Sequence, residues 1–593
     1  MTSRFGRRLR RSQAVMTFGP GAIIDLRDES VLLTGIDLWP RRKLIEIHEP
    51  NLEKLLKVKG FRMPSVTEGF KGKGKGDLPV VIFPRWLVCS GCNRLQDYTR
   101  FTGLFHHGGT IRCPKCNSRV YPARLIVACR RGHIDDFPWE WWVHRGESCE
   151  APALTLRAQG KTATLADLII SCINPDCKKW RSLSGATHAE NFEKGSCSGN
   201  QPWLLRHEAC DLDIVPLQRG ASNVYFPVLS SSISIPPWSS RVQNSLNADW
   251  EMLQKTYERR GRLGLEITIE SLELVDELDM SLEQVVDIAI ARIAGDNGTD
   301  AITEREMRQG ECEALRSGLE DQDGEFRTRP AEVNKILNDV VNQVMLVDRL
   351  REVRALLGFT RVDAPDPSGL SSIKMADISS RPIPWRPAIE VRGEGIYLEL
   401  NERSVLNWER KSDVLARAAR LHTTYKEMCE RRGWEPDRQI TPRMLLVHSL
   451  SHALIRQLSI ESGYSSASIR ERLYVFDPSE RGPESPGIAG LLLYTSTVDS
   501  EGSLGGLVRQ GGPARFAKTM LSALNEAMWC SSDPLCIESE GQGQGAMNLA
   551  ACHACLLVSE TSCEEYNRLL DRAMLVGTPE SPDTGFFFSL VES

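Results

Sequence analysis

The 593-residue sequence contains no apolar run of the roughly 18 residues that a membrane-spanning helix needs. Its longest apolar stretches, such as residues 490–494, have the length of a buried strand. The N-terminus opens on arginines, and the apolar segment of a secretory signal does not follow them. The sequence therefore predicts a protein without a membrane span or export signal, located in the cytoplasm.

Also absent is any Gly-x4-Gly-Lys-Ser/Thr motif, the loop with which P-loop ATPases hold nucleotide phosphates. The Gly19-Pro20-Gly21 turn and the glycine–lysine run at 71–76 lack the spacing of such a loop. The compact carboxylate-rich motif expected of a metal-dependent nuclease is missing as well. We therefore predict no catalytic residue and no ATPase activity for this chain by itself.

Hydrophobic residues make up 41% of the chain and charged residues 25%, the profile of an ordinary globular protein. At roughly 150 residues per domain, the length predicts about three to five domains. The net charge of −5 argues against a uniformly basic coat.

Positive charge is concentrated near the N-terminus, where residues 1–75 hold 16 Lys and Arg against 8 Asp and Glu. A basic arm with glycine spacers suits contacts with the phosphates of DNA. A solvated face, or a loop ordered on a partner protein, would carry the same pattern. The candidate nucleic-acid-binding residues are Arg7, Arg8, Arg10, Arg11, Lys71, Lys73 and Lys75.

The most informative residues are the 17 cysteines. In a reducing compartment, thiols in close pairs are more often metal ligands than disulfides. Most of these cysteines fall into three groups, which predict two to three zinc ions per chain.

The first group is a pair of matched CxxC motifs, Cys89-Ser-Gly-Cys92 and Cys113-Pro-Lys-Cys116. Each motif places two thiolates on one tight turn, and the intervening segment is long enough for a short strand pair. The pattern predicts a zinc ribbon with a closed, structural site. A redox pair is the alternative, although redox motifs do not usually come as two matched turns.

The second group has looser spacing and consists of Cys172, Cys177, Cys197 and Cys210. A second zinc site is predicted here. Just before it lies Cys129-Arg-Arg-Gly-His133, followed by Cys149. Cys129 and His133 could ligate a metal together, or the histidine could be a hydrogen-bonded core residue.

The third group is C-terminal and offers five thiols for four ligand positions: Cys530, Cys536, Cys552, Cys555 and Cys563. Because protein fills every position, the site should stabilise the fold and should not activate water, which requires an open position.

Residues 247–358 read as helical, and the spacing of apolar residues over 332–357 predicts a helix that ends at Gly358. Thr441-Pro442 marks the start of another helix, running to about residue 458. His448 and His452 share one face of it, but Ser449 stands where a zinc protease of the His-Glu-x-x-His type needs glutamate. A hydrogen-bonding role for the two histidines is therefore favoured over metal ligation.

Several motifs carry a resemblance to a known family. The segments 11–13, 18–26, 129–139 and 350–361 resemble the DrmB family, subunits of the DISARM anti-phage systems of bacteria. The segments 448–454, 491–494, 504–507 and 567–572, with the terminal cysteines, are similar to the MrfA-like zinc-binding domain, which ends a class of superfamily-two DNA helicases. The resemblance covers nearly the whole chain.

The resemblance implies a ligand set and a partner. The helicase pattern selects Cys536, Cys552, Cys555 and Cys563 as ligands; Cys530 is the alternate, since the lone cysteine stands farther from the CxxC than in the helicases. No helicase motor precedes the domain here. Resemblance to DrmB implies that the motor is a separate chain, the helicase DrmA, and that the two form a heterodimer on DNA with a single-stranded portion.

The predicted fold is a multidomain α+β protein with zinc-ribbon-like modules in the N-terminal half, a helical middle and an α/β C-terminal MrfA-like zinc-binding domain. The predicted boundaries are 1–85 (basic segment), 86–125 (zinc ribbon), 126–245 (second cysteine-rich module), 246–365 (helical region), 366–440 (proline-rich joint) and 441–593. The predicted function is a non-catalytic, zinc-binding accessory subunit of a helicase complex. A metal-dependent nuclease or hydrolase and a zinc-ribbon DNA-binding regulator are the alternatives.

Overall fold

The computed structural model describes residues 10–591 except 27–28, 41–43, 65–77, 102–110, 148, 161–163, 237–244, 247–248, 279, 297–301, 320–324, 366–374, 479–486 and 496–504. Over these residues the fold is mixed α and β, as predicted, with a strand-rich N-terminal half and a partly helical middle. None of the described helices combines the length and the apolar character that crossing a bilayer demands.

The N-terminal half is built from small antiparallel sheets. The largest has six strands, in the spatial order Trp180–Ser182, Leu168–Cys172, Leu154–Ala158, Arg94–Asp97, Trp86–Cys89 and Val120–Pro122. A three-stranded sheet has the order Ile134–Asp136, Leu125–Ala128 and Val215–Gln218. Another has the order Ile23–Asp25, Ser30–Leu33 and Val80–Ile82, and Asn200–Gln201 pairs with Arg206–His207.

An eight-stranded sheet connects the two halves of the chain. Its main path runs Phe226–Ile233, Val341–Thr360, Arg386–Leu400, Ile488–Thr495 and Ile469–Phe476. Arg327–Ala331 pairs with the second of these strands, and Phe61–Pro64 joins the third, with Leu44–Ile47 beside it.

The predicted helix over 332–357 is wrong. The structure has a single 3-10 turn at Lys335–Leu337 and then the 20-residue strand Val341–Thr360, in which Gly358 pairs with Val228. Much of this strand is buried on both faces, so apolar residues do not alternate with polar ones along it. An uninterrupted apolar run contains residues at three- and four-residue spacing by chance, which is why it resembled a helix.

Helices occupy the rest of the middle and much of the C-terminal part. The middle helices are Trp250–Ser271, broken at Gly261, then Leu274–Leu278, Leu282–Asp296 and Glu304–Arg316. The C-terminal ones are Glu402–Glu409, Ser412–Arg432, Pro442–Ser462, Pro513–Ala527, Ala573–Val576 and Phe588–Val591. Short helices lie at Arg11–Val15, Pro50–Leu56 and Trp139–His144.

The helix Pro442–Ser462 is the centre of the C-terminal part. The side chain of Thr441 accepts a hydrogen bond from the Met444 amide and Pro442 follows the cap, as the sequence predicted, while Gly463 ends the helix in a left-handed conformation. Its side chains are buried nearly all round, because the central sheet, the helix Pro513–Ala527 and the last residues of the chain pack against it. The polar side chains of Arg443, His448, Ser449, Ser451 and His452 on this helix therefore lie away from water.

Buried ion pairs join distant segments. Arg472, on the strand Ile469–Phe476, donates two hydrogen bonds of 2.7 Å to Glu311 of the helix Glu304–Arg316, and neither side chain is exposed. Elsewhere Arg351 lies between two carboxylates, Glu49 and Glu390. Glu49 is the fully buried one of the two, and burial raises its pKa to about 7 although Arg351 lies beside it.

Candidate metal centres

The described residues bring sixteen cysteine and histidine side chains together in four groups of four, whose ligand atoms lie within 4.8 Å of one another inside each group. Four ligands and N/S donors are the requirement of structural zinc. With Zn–S bonds of about 2.3 Å, tetrahedral geometry places sulfur atoms about 3.8 Å apart. The groups can be tested against that distance.

The first group is the predicted set Cys89, Cys92, Cys113 and Cys116. The strand Trp86–Cys89 delivers its last residue to the site, and the Sγ–Sγ distances are 3.4 Å for Cys89–Cys116 and 3.6 Å for Cys92–Cys113. The amides of Gly91 and Cys92 donate to the sulfur of Cys89. Such N–H donors stabilise a thiolate, so the residues present fit a zinc ion.

The second group is Cys129, His133, Cys197 and Cys210. The antiparallel pair Leu125–Ala128 and Ile134–Asp136 turns tightly between Cys129 and His133, with the Cys129 amide donating to the His133 carbonyl. The Nδ1 atom of His133 lies 3.4 Å from Cys129 Sγ and 3.5 Å from Cys197 Sγ. On the opposite side of the ring, Nε2 contacts the carboxylate of Glu208 at 2.7 Å.

That contact orients the imidazole. If Nε2–H donates to Glu208, the lone pair of Nδ1 faces the two sulfur atoms, as in carboxylate–histidine–zinc triads. The hydrogen bond with Cys197 lowers the pKa of Cys129 to about 4, while the pKa of Cys197 is raised. A dication at this position would stabilise both sulfurs as thiolates, so the donor set fits zinc.

The third group is His144, Cys149, Cys172 and Cys177. His144 ends the helix Trp139–His144, and its Nδ1 lies 2.6 Å from the Glu140 carbonyl oxygen, to which it donates. Its buried Nε2 has no hydrogen-bond partner among the described residues. A buried lone pair without a partner is costly, and a metal ion in contact with the three sulfurs would satisfy it.

The structure does not bring the second predicted set together. Cys172 and Cys177 lie in the third group, whereas Cys197 and Cys210 lie in the second. The alternative that Cys129 and His133 act together matches the placement of both. His144 was not identified from the sequence as a candidate ligand. It stands five residues before Cys149, and that spacing could have indicated it, although the residues just before it are mostly tryptophans.

The fourth group is Cys530, Cys536, Cys552 and Cys555. The Sγ–Sγ distances are 3.4 Å for Cys530–Cys552 and 3.8 Å for both Cys536–Cys555 and Cys552–Cys555, close to the tetrahedral value. Asp533 accepts from the amides of Cys530 and Ile537 and so shapes the loop between the first two ligands. These residues fit a closed zinc site.

The structure does not bring the third predicted set together either, because Cys530 takes the position assigned to Cys563. Cys563 lies instead beside His448, His452 and Glu471, with its sulfur 3.2 Å from His448 Nε2. The helicase pattern is based on cysteine spacing alone. It therefore did not predict that Cys563 lies beside the two histidines and not in the four-cysteine group.

The predicted nucleic-acid-binding residues are mostly outside the described part of the chain, which includes neither Arg7 and Arg8 nor Lys71, Lys73 and Lys75. Arg10 is exposed and Arg11 half-buried at the start of the helix Arg11–Val15.

The aromatic residues at 137–142 belong to the interior. Phe137, Trp139 and Trp142 are each at most 1% exposed and pack in the core beneath the six-stranded sheet. They are thus not available to stack on bases.

Comparison with known proteins gives three findings. Residues 10–226, which span the first three groups, match a family model described as a domain of unknown function (DUF8724). Residues 450–556, which span the fourth group, match the MrfA Zn-binding domain. The chain is 35% identical over 581 residues to the DISARM protein DrmB of Bacillus paralicheniformis, an alignment that covers 96% of this chain and 100% of that protein. The zinc-binding domain and the four Cys/His groups are compatible with several Zn²⁺ ions per chain.

Proposed function

The chain belongs to the DrmB family of DISARM defence proteins, and from that premise we propose that it is a non-catalytic accessory subunit that acts with a separate helicase chain, DrmA, on DNA. The two chains would form a heterodimer, which would hold DNA with a single-stranded portion while the helicase moves along it. Zinc would stabilise the accessory chain and take no part in chemistry.

One observation carries this proposal. The chain contains a zinc-binding domain named after MrfA, yet its sequence has no phosphate-binding loop with which to hydrolyse ATP. A domain of helicase type without its motor is readily explained if the motor is supplied by a partner.

The metal groups support a structural role for zinc. Protein supplies all four ligands in each group, so no coordination position remains for water or substrate. The alternative of a metal-dependent nuclease, which would use His448 and His452, is disfavoured because both side chains are 0% exposed. A nucleic-acid phosphate would have no access to them.

A surface next to the fourth metal group suits a protein partner. Three large apolar side chains in or next to the loop that carries Cys530 and Cys536 are exposed to solvent. The exposed fraction is 44% for Met528, 67% for Trp529 and 83% for Leu535. Exposed apolar side chains that cluster are typical of protein interfaces, and aromatic residues such as tryptophan often contribute most of the binding free energy. We place the contact with the helicase here.

The experiment is a pull-down of DrmA, produced in the same cells, by the tagged chain. The wild-type chain should retain the helicase, whereas the Trp529→Ala and Leu535→Ser double variant should retain at least tenfold less, since hot-spot residues are worth roughly 2 kcal/mol or more. Trp180→Ala is the matched control, because Trp180 is also 67% exposed but lies on the N-terminal sheet.

Two results would contradict the proposal at different levels. Retention of the helicase by the double variant at the wild-type level would move the interface elsewhere. Failure of the wild-type chain to retain the helicase, with or without partly single-stranded DNA, would remove the partnership itself.

A further inference from the structure

Four side chains outside the Cys/His groups meet in the interior of the C-terminal part. They are His448 and His452 of the helix Pro442–Ser462, Glu471 of the strand Ile469–Phe476, and Cys563 of the irregular segment before the helix Ala573–Val576. Their ligand atoms lie within 4.8 Å of one another, and all four side chains are buried. Burying so many polar groups is unfavourable unless each one has a partner.

The two imidazoles are held in the same way. Nδ1 of His448 lies 3.2 Å from the Leu569 carbonyl oxygen, and Nδ1 of His452 lies 2.9 Å from the Leu556 carbonyl oxygen. A carbonyl oxygen only accepts, so each Nδ1 carries the proton. Each neutral ring then directs the lone pair of Nε2 into the same small space, the arrangement seen in metal-ligating histidines.

Two groups face these lone pairs, a carboxylate and a sulfur. An oxygen of Glu471 lies 3.2 Å from His448 Nε2 and 3.7 Å from His452 Nε2, and the sulfur of Cys563 lies 3.2 Å from His448 Nε2. His452 Nε2 makes no hydrogen bond within the described structure. One extra proton on His448 would satisfy that ring and the carboxylate, but it would leave His452 Nε2 unsatisfied.

The sulfur of Cys563 has two backbone donors beside it. It accepts hydrogen bonds from the amides of Glu565, at 3.3 Å, and Asn567, at 3.2 Å. The sulfur of Cys89 receives amide donors in the same manner inside the first metal group. With a metal ion present, Cys563 would bind as a thiolate, and a dication would neutralise that thiolate and the Glu471 carboxylate together.

We propose that His448, His452, Glu471 and Cys563 bind a fifth metal ion, a divalent cation of the zinc class. A tetrahedral ion with two nitrogen ligands, one oxygen and one sulfur places neighbouring ligand atoms about 3.4–3.6 Å apart, close to the distances present here. Imidazole, carboxylate and thiolate are all ligands of zinc. Since protein supplies all four ligands, the site would be structural.

The ion would attach the segment around Cys563 to the helix Pro442–Ser462 and to the eight-stranded sheet. His448 and Cys563 lie outside residues 450–556, the part that matches the MrfA Zn-binding domain. The two residues after Cys563 form ion pairs with more distant parts of the chain. Glu564 pairs with Arg308 of the middle helix Glu304–Arg316 at 2.8 Å, and Glu565 pairs with Arg438 at 2.7 Å. Losing the ion should therefore loosen the contact between the middle helix and the C-terminal part.

The test is the number of zinc ions per chain in the full-length protein, measured by elemental analysis after purification without chelator. Cys563→Ser should contain one zinc fewer than the wild type, and so should Cys552→Ser, which removes a ligand of the fourth group. The double variant should contain two fewer, because the sulfurs belong to different ions. Cys429→Ser, at an equally buried cysteine outside all the groups, is the control and should keep every zinc.

Two stoichiometries overturn the proposal. Cys563→Ser with the wild-type zinc content means that no ion is bound there. A double variant that lacks only one zinc means that Cys563 shares the ion of Cys552. If Cys563→Ser fails to fold, anomalous diffraction of wild-type crystals at the zinc edge decides: a peak between His448 Nε2 and Cys563 Sγ is expected, and the absence of one refutes the site.

Discussion

His133→Ala should remove one zinc ion and release the segment between Cys197 and Cys210, while the group around His144 stays loaded. The structure predicts this because the ligands of the His144 group lie between His133 and Cys197 in the sequence but form a separate cluster in space. If Cys172, Cys177, Cys197 and Cys210 shared one ion, as their spacing suggested, His133 would not be a ligand at all.

The size of the effect follows from weighing the ion against the other contacts of this segment. Ordering its roughly 14 residues costs about 14–28 kcal/mol of backbone entropy. Its other anchors are Trp203, which is fully buried and packs edge-on against Phe359 with ring centroids 5.1 Å apart, and the hydrogen bonds of Trp203 and Arg206 to Asp377. Burial of one tryptophan returns about 4–6 kcal/mol. A structural zinc contributes about 10–16 kcal/mol, so the segment should not stay folded without its ion.

Native mass spectrometry should count one zinc fewer in His133→Ala, and trypsin should cleave after Arg206 much faster than in the wild type. His144→Ala should also lose one zinc, but it should leave the cleavage at Arg206 unchanged. His188→Ala, at an exposed histidine outside the groups, should change neither quantity. A His133→Ala protein with its full zinc content would refute the reasoning.

Three further outcomes can be checked. Glu311→Ala removes the carboxylate that pairs most closely with the buried guanidinium of Arg472, which should cost about 3–5 kcal/mol and lower the melting temperature of the C-terminal part by several degrees in calorimetry. Glu311→Leu combined with Arg472→Met should recover most of the loss. The pKa of Glu49 is raised to about 7, so the folded protein holds a proton that the unfolded chain releases near pH 4.5. The free energy of unfolding should therefore fall as pH rises from about 4.5 to 7. Glu49→Gln should flatten this dependence when unfolding is measured in urea. If the N-terminal arm binds phosphates, removing its arginines should reduce the slope of log K against log salt by about 0.7–0.9 per lost contact in a DNA-binding titration, and an unchanged slope would assign the arm another role. The arginines to replace with alanine are Arg7, Arg8, Arg10 and Arg11.

The cysteines could be found in the sequence, but their grouping could be predicted only where ligands came in local pairs. The CxxC motifs at 89–92 and 113–116 each fix two ligands on one turn, and the structure brings the four together. In the next module the ligands of one ion lie up to 81 positions apart, from Cys129 to Cys210, with the other group in between. Which ligands share an ion depends on how the sheets pack, and the spacing of cysteines along the sequence does not predict that packing.

The helix–strand error over 332–357 has a similar cause. A strand buried on both faces has no alternating pattern, so the local sequence of Val341–Thr360 did not distinguish it from a buried helix. The opposite case is the helix Pro442–Ser462, whose start could be predicted because Thr441 and Pro442 are local signals. Its histidines could be placed on one face, but the strand and the cysteine that meet them could not.

The most direct test of the proposed function is the affinity of the isolated chain for DrmA, measured by titration with and without a partly single-stranded DNA. The account predicts that DNA tightens the association of the two proteins, and that the chain increases the DNA affinity of the helicase by the same factor, because a coupling free energy is reciprocal. A DNA affinity of the helicase that is indifferent to this chain would contradict the account.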